Sequence, residues 1–137
     1  MSRGLKLAGG VVVAALVAIQ FFRPSRTNPP SDPAASFEAV AQPTAEVASS
    51  VKRACGDCHS NQTVWPWYCN LAPVSWLVAH DVNDGRKHLN FSAWNRPGPE
   101  GEMPDMGEAC EQIRAGTMPL RSYAIPGRLP DHRIGPP

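Results

Sequence analysis

Cys55-Gly56-Asp57-Cys58-His59 is a stretch whose residue types and spacing together specify a chemistry. Two thiols three residues apart lie on the same side of a helical turn. Each sulfur can form a thioether with a vinyl group of one planar macrocycle. The imidazole that follows can then reach the metal at its centre. Cys-x-x-Cys-His is accordingly the attachment signature of c-type haem, with His59 as the proximal iron ligand. Three other chemistries use parts of the pattern. A thiol–disulfide oxidoreductase places Cys-x-x-Cys after a strand in a βαβ scaffold, and no strand pattern precedes this motif. A zinc site built from Cys55, Cys58, His59, Cys69 or His80 lacks the usual second close ligand pair. A Cys55–Cys58 disulfide would be strained.

A sixth iron ligand has several candidates. Met118, in Gly116-Thr117-Met118-Pro119, lies well downstream on an expected loop, and a methionine sulfur there suits a high-potential haem. Met103, in Glu102-Met103-Pro104, has the same local chemistry. His80, beside Trp76 and Leu77, would give lower-potential bis-His ligation. Any of these methionines could instead fill a gap in the core. His88 and His132 read as surface or loop residues. Pro66 and Pro73 are candidate carbonyl acceptors for the proximal histidine. Trp65, Trp67, Tyr68 and Trp76 could wall the haem or bond a propionate, or serve as ordinary core. Arg86 and Lys87 read better as a solvated helix face than as propionate partners. Cys69 and Cys110 are a candidate disulfide outside the cytoplasm, against two free thiols.

These residues need elements to hold them. The apolar periodicity predicts a helix from about Pro43 through Val47, Val51, Ala54, Cys55 and Cys58. It predicts a second from Pro73 towards His88, striped by Val74, Leu77, Val78 and Val82, with Gly85 weakening its end. A third is expected from Asp105 to Ala115, capped by Asp105 and stopped by Gly116, with Met106, Cys110 and Ile113 on one face. No alternating strand pattern and no repeat occurs. The expected class is all-α, a small cytochrome c-like domain with long irregular loops around one haem. The 137 residues, with 15 prolines and 11 glycines, leave room for one small domain with a limited core, which a bound cofactor would staple.

Arg3 and Lys6 precede an apolar run from Leu7 to Phe22 interrupted only by Gln20. As a helix it spans about 24 Å, slightly short of a ~30 Å hydrocarbon core. No small-x-small cleavage site follows it. The reading is a single N-terminal transmembrane signal anchor, with a cleaved signal peptide second. Arg23 and Arg26 balance the N-terminal basic residues, so charge does not set orientation. Covalent haem attachment occurs outside the cytoplasmic membrane, which puts the haem domain on the periplasmic side. The net charge of +1 carries no basic run, so nucleic acid is not an expected partner. The boundaries that follow are anchor 1–24, Pro-rich tether 25–42 with a short helical piece around Phe37 to Ala41, haem domain 43–123 and irregular tail 124–137.

Four separated motifs in order resemble the bacterial haem-binding domain family. They are Arg53 to Tyr68 around Cys-x-x-Cys-His, Ala72 to Val82, Leu89-Asn-Phe-Ser-Ala-Trp94, and Gly116-Thr-Met-Pro-Leu-Arg-Ser-Tyr123. An apolar anchor and an Asn-Pro-Pro tether, here Asn28-Pro29-Pro30, often precede them. The resemblance implies a periplasmic cytochrome with one covalent haem c, and it keeps His80 in play. It implies no substrate. Members usually continue with a C-terminal helix, whereas 124–137 is broken by Pro126, Gly127, Pro130, Gly135, Pro136 and Pro137. The expected function is electron transfer by a non-enzyme anchored in the membrane, with redox protein partners or a larger respiratory or photosynthetic complex. The alternatives are a haem sensor or peroxidase-like protein with a displaceable sixth ligand, and a structural accessory subunit.

Overall fold

The structure is a computed structural model that describes residues 3–98 and 101–120. The expected tail 124–137 and His132 therefore lie outside the described residues. Among those described, every regular element is helical and there is no strand. The chain divides into two compact units. One combines the described residues up to Thr27 with Trp65–Asp81, and the other combines Asn28–Val64 with the described residues from Val82 onward.

In the first unit, α1 (Arg3–Ala18) continues as a 3-10 turn to Phe21. These 19 residues are long and apolar enough to cross a membrane, and none of their side chains is buried in the protein. The end of this helix is tied to the segment around a second 3-10 turn, Trp67–Asn70. The Gln20 side chain donates to the Ala72 carbonyl at 3.0 Å and accepts from the Ala72 N–H at 2.9 Å. The Trp76 indole N–H donates to the Phe22 carbonyl at 2.6 Å, and Arg26 donates to Asn70 Oδ1 at 2.7 Å. The one polar side chain of the apolar run is thus satisfied by a peptide group.

The second unit is built on an aromatic cluster. Phe37 meets Phe91 and Trp94 edge-on, with ring centroids 5.4 and 4.7 Å apart, and Phe91 stacks on Trp94. Val51, Cys55, Leu89 and Met106 pack around it. Its helices start at side-chain caps. Ser36 caps α2 (Phe37–Ala41), Thr44 caps α3 (Ala45–Ala54), and Asp105 caps α6 (Met106–Arg114) by accepting from an N–H two or three residues on. The first helix of the haem region thus begins at Ala45, because Thr44 supplies the cap, and Pro43 stays outside it. The short α4 (Gly56–His59) carries the motif. At the other end of α6, Gly116 adopts φ +70, the left-handed conformation that ends a helix.

Residues read from sequence as a tether belong partly to this unit. Phe37 is a core residue, and the Asn28-Pro29-Pro30 segment is held by hydrogen bonds. Asn28 donates to the Thr63 carbonyl, and Asn61 donates to the Pro30 carbonyl. Backbone bonds then lace the layer together, from Phe37 N–H to the Phe91 carbonyl and from Trp94 N–H to the Ala35 carbonyl.

The second predicted helix is α5 (Val74–His88), running unbroken through Gly85. Its apolar stripe differs from the expected one. Ser75, Ala79 and Val82 are buried, while Leu77 is 51% exposed. Small side chains at 75 and 79 permit close packing, and Trp76 is drawn to the end of α1 by its indole bond. In α6, Met106 packs on the aromatic cluster as its periodicity suggested, but Cys110 and Ile113 are exposed.

Candidate functional site

Cys55 closes α3, and Gly56–His59 makes one further turn, so both thiols and the imidazole sit on consecutive turns of near-continuous helix. The Cys58 and His59 N–H groups both point to the Cys55 carbonyl, at 3.2 and 2.9 Å. Ser60 stops the turn in an extended conformation while its hydroxyl bonds back to the Gly56 carbonyl at 2.6 Å. Asp57, between the cysteines, accepts from the Val64 N–H with its carboxylate and from the Thr63 hydroxyl with its carbonyl. The residues after the motif are therefore folded back on it.

His59 is oriented from its far side. Nδ1 lies 3.0 Å from the Leu89 carbonyl oxygen. A carbonyl can only accept, so Nδ1 carries the proton and Nε2 keeps its lone pair for a metal. The Phe91 ring sits edge-on to the imidazole with centroids 6.4 Å apart, and the Phe91 N–H donates to the His59 carbonyl at 2.8 Å. Burial lowers the His59 pKa below the usual imidazole value, and His88 adds a smaller push in that direction, against hydrogen bonds that the ring donates to the Leu89 and Gly85 backbone. A neutral imidazole is the metal-binding form. Burial also pushes the Cys55 thiol up.

The expected proline acceptors are used elsewhere. The Pro66 carbonyl accepts from Cys69 N–H, and the Pro73 carbonyl accepts from the first turn of α5 at Trp76 and Leu77. Sequence reasoning missed Leu89 because a backbone acceptor leaves no side-chain signature. The Leu89-Asn-Phe-Ser-Ala-Trp94 motif was visible, but nothing in it announced that its backbone faces His59.

Gly85 and Arg86 complete the surroundings. A Cβ at Gly85 would sit 2.9 Å from the Cys58 carbonyl oxygen and 3.3 Å from its carbon, so α5 lies directly on the motif's backbone. Gly85 therefore supports close approach. Arg86 is not a free surface cation. It donates to the Ser60 carbonyl, Thr63 Oγ1 and Asn28 Oδ1, each at 2.8 Å. Lys87 is exposed, as expected.

Cys55, Cys58 and His59 come together on one segment, while the candidate sixth ligands sit on separate elements. Met118 is half-buried after α6, its N–H bonded to the Gln112 carbonyl; Met103 is exposed on the preceding loop; His80 is exposed on α5. Of the aromatic wall candidates, Trp67 and Trp76 are exposed and Trp65 and Tyr68 half-buried, and the Trp76 indole N–H is engaged by Phe22. Cys69 and Cys110 form no disulfide, Cys69 being 1% exposed in its 3-10 turn and Cys110 exposed on α6. His88 is exposed and bonds within its own helix.

The donor set fits a haem iron: an imidazole with its Nε2 lone pair directed by a backbone acceptor, beside two thiols one helical turn apart. No curated protein and no solved structure matches the chain. The Haem-binding domain family matches over residues 14–127, which takes in the motif, the Leu89 acceptor and the Met118 segment. On that match, covering most of its length, the chain belongs to the Haem-binding domain family.

Proposed function

We propose that this chain is a membrane-anchored, periplasmic cytochrome with one covalent haem c, and that it transfers electrons without making or breaking substrate bonds. The observation that carries the reading is the His59 Nδ1–Leu89 carbonyl bond beside Cys55 and Cys58. Bound haem supplies a one-electron iron couple. Cys55 and Cys58 hold it through thioethers, and His59 ligates through Nε2. The Leu89 carbonyl fixes the imidazole's tautomer and raises its basicity. Met118 is the proposed sixth ligand, with His80 the alternative and Met103 behind it. The donor partner and acceptor are redox proteins or neighbouring subunits of a membrane complex.

The anchor reading is supported by the bonds from Gln20 and Phe22 to Ala72 and Trp76. A cleaved signal would discard contacts that the end of α1 makes with the rest of its unit. Denaturing electrophoresis with a haem-peroxidase stain tests the covalent link. A stained band at the chain's mass is expected, weakened or lost in Cys58→Ser. A colourless band from a matured preparation refutes the assignment. Reduced spectra unchanged by carbon monoxide are expected of a six-coordinate electron carrier, whereas ready gas binding would replace electron transfer with a sensor role.

A further inference from the structure

The first unit leaves large apolar side chains exposed in a restricted part of the chain. Trp67 is 74% exposed, Leu77 51% and Leu71 49%, with Trp76 also exposed. Scattered exposed apolar residues are ordinary. These four lie within eleven successive positions and include two tryptophans. The same segment is bonded to the end of the apolar helix through Gln20–Ala72, Phe22–Trp76 and Arg26–Asn70. Those bonds fix its level along the span. Residues 3–21 extend about 28 Å, close to the ~30 Å of a hydrocarbon core, so Phe22 falls at the boundary between acyl chains and headgroups. Whatever is bonded to residues 20–26 lies at that boundary too.

We propose that Trp67, Leu71, Trp76 and Leu77 form an interfacial collar that inserts into the headgroup–acyl boundary of the bilayer around α1. The proposal rests on α1 being a retained anchor. Tryptophan is enriched at that depth because its ring is apolar and its N–H polar. Here the Trp76 N–H is satisfied by the Phe22 carbonyl. Leu71 and Leu77 add apolar area that gains by leaving water. Two polar groups of the same segment are already engaged: the Ala72 peptide by Gln20, and the Asn70 amide by Arg26 and by its own bond to the Trp67 carbonyl. A surface whose peptide and amide groups are satisfied can enter the boundary with little desolvation penalty. The occupant is lipid rather than a protein partner, because the patch continues directly from the end of the membrane span.

Thiol accessibility tests this with the full-length holoprotein. Trp67→Cys and Leu77→Cys are reconstituted separately into phosphatidylcholine–phosphatidylglycerol vesicles. Each is treated with a charged, water-soluble maleimide or with a lipid-soluble one, and labelling is read by peptide mass. Exposed Cys110 is the internal reference in every sample. The introduced thiol should react with the charged reagent on the order of tenfold more slowly than Cys110, as for a group held ~5–10 Å into the interface. It should react readily with the lipid-soluble reagent, and the difference should vanish in detergent. Charged-reagent labelling at the Cys110 rate, in an intact chain, overturns the collar alone. Protection from both reagents also overturns it, pointing to a second copy on the patch. A mature chain whose mass lacks the residues of α1 overturns the anchor and the collar with it.

Discussion

Gly85→Ala isolates the contact on which the geometry around His59 depends. On an open helix this change stabilises by about 1 kcal/mol, since alanine is the better helix former. At position 85 the new methyl would lie 2.9 Å from the Cys58 carbonyl oxygen, 3.3 Å from its carbon and 3.4 Å from its Cβ. Two of those atoms are backbone, so relief must come from displacing α5 by a few tenths of an ångström. Overpacking of this kind costs about 1–3 kcal/mol. After the helix gain, a net loss of about 0–2 kcal/mol remains. Each kcal/mol lowers the melting midpoint of a domain this size by about 4–8 °C. The displacement also travels. The Leu89 N–H bonds to the Gly85 carbonyl, and the Leu89 carbonyl is the His59 acceptor. Thermal melts of the holoprotein, with visible spectra recorded alongside, measure both effects. Gly56→Ala is the control, because its methyl meets nothing within 4 Å. A Gly85→Ala protein as stable as wild type, with an unchanged spectrum, would falsify the close approach.

Met118→Ala should remove the weak near-infrared sulfur-to-iron band of the oxidised protein and lower the potential; a spectrum altered by His80→Ala instead would transfer the role to His80. Arg86→Ala strips a donor from Ser60, Thr63 and Asn28, and should cost about 2–3 kcal/mol in denaturant titrations; an unchanged midpoint would show that these bonds do not hold the loop. Iodoacetamide should alkylate Cys110 and spare buried Cys69 in the native protein, as read by peptide mass. Burial raises the Cys69 pKa above its ordinary 9.0, with Arg26 opposing. The folded chain therefore holds that proton more tightly than the unfolded one, and the resulting stability is present below pH 9.0 and lost as pH rises through the raised value. Cys69→Ala should flatten the fall in stability above pH 9.0; an identical alkaline limb would assign it to another group.

The helical class, the caps at Asp105 and Gly116, and the motif were legible because each rests on local chemistry. A capping carboxylate, a left-handed glycine and Cys-x-x-Cys-His are all short-range patterns. What escaped was long-range. Phe37 looked like tether because proline-rich sequence surrounds it, yet its partners Phe91 and Trp94 are distant in the chain. Leu77 looked like core by periodicity, since helical spacing records which residues share a face and not which face is covered. Gly85 looked like a weak point because propensity cannot register the backbone lying against it. Arg86 looked solvated because its acceptors are a carbonyl, a hydroxyl and an amide, none of which forms a charge pattern with it.

The way residues 35–37 meet residues 91–94, with Leu89 and Phe91 in contact with His59, also sets an order of assembly. A chain is made N-terminus first. Cys55, Cys58 and His59 are thus available before Leu89 and Phe91 exist to receive them. The Phe37 ring must wait for partners roughly fifty residues further on, and closing such a loop is entropically unfavourable until those partners arrive. During synthesis, the motif therefore passes through a stage in which its cysteines are uncovered and its imidazole has no backbone acceptor. Under the proposed covalent attachment, the haem would meet an open, short helical turn rather than a finished pocket. The aromatic cluster, which adjoins the histidine through Phe91, can be completed only once residue 94 has joined the chain.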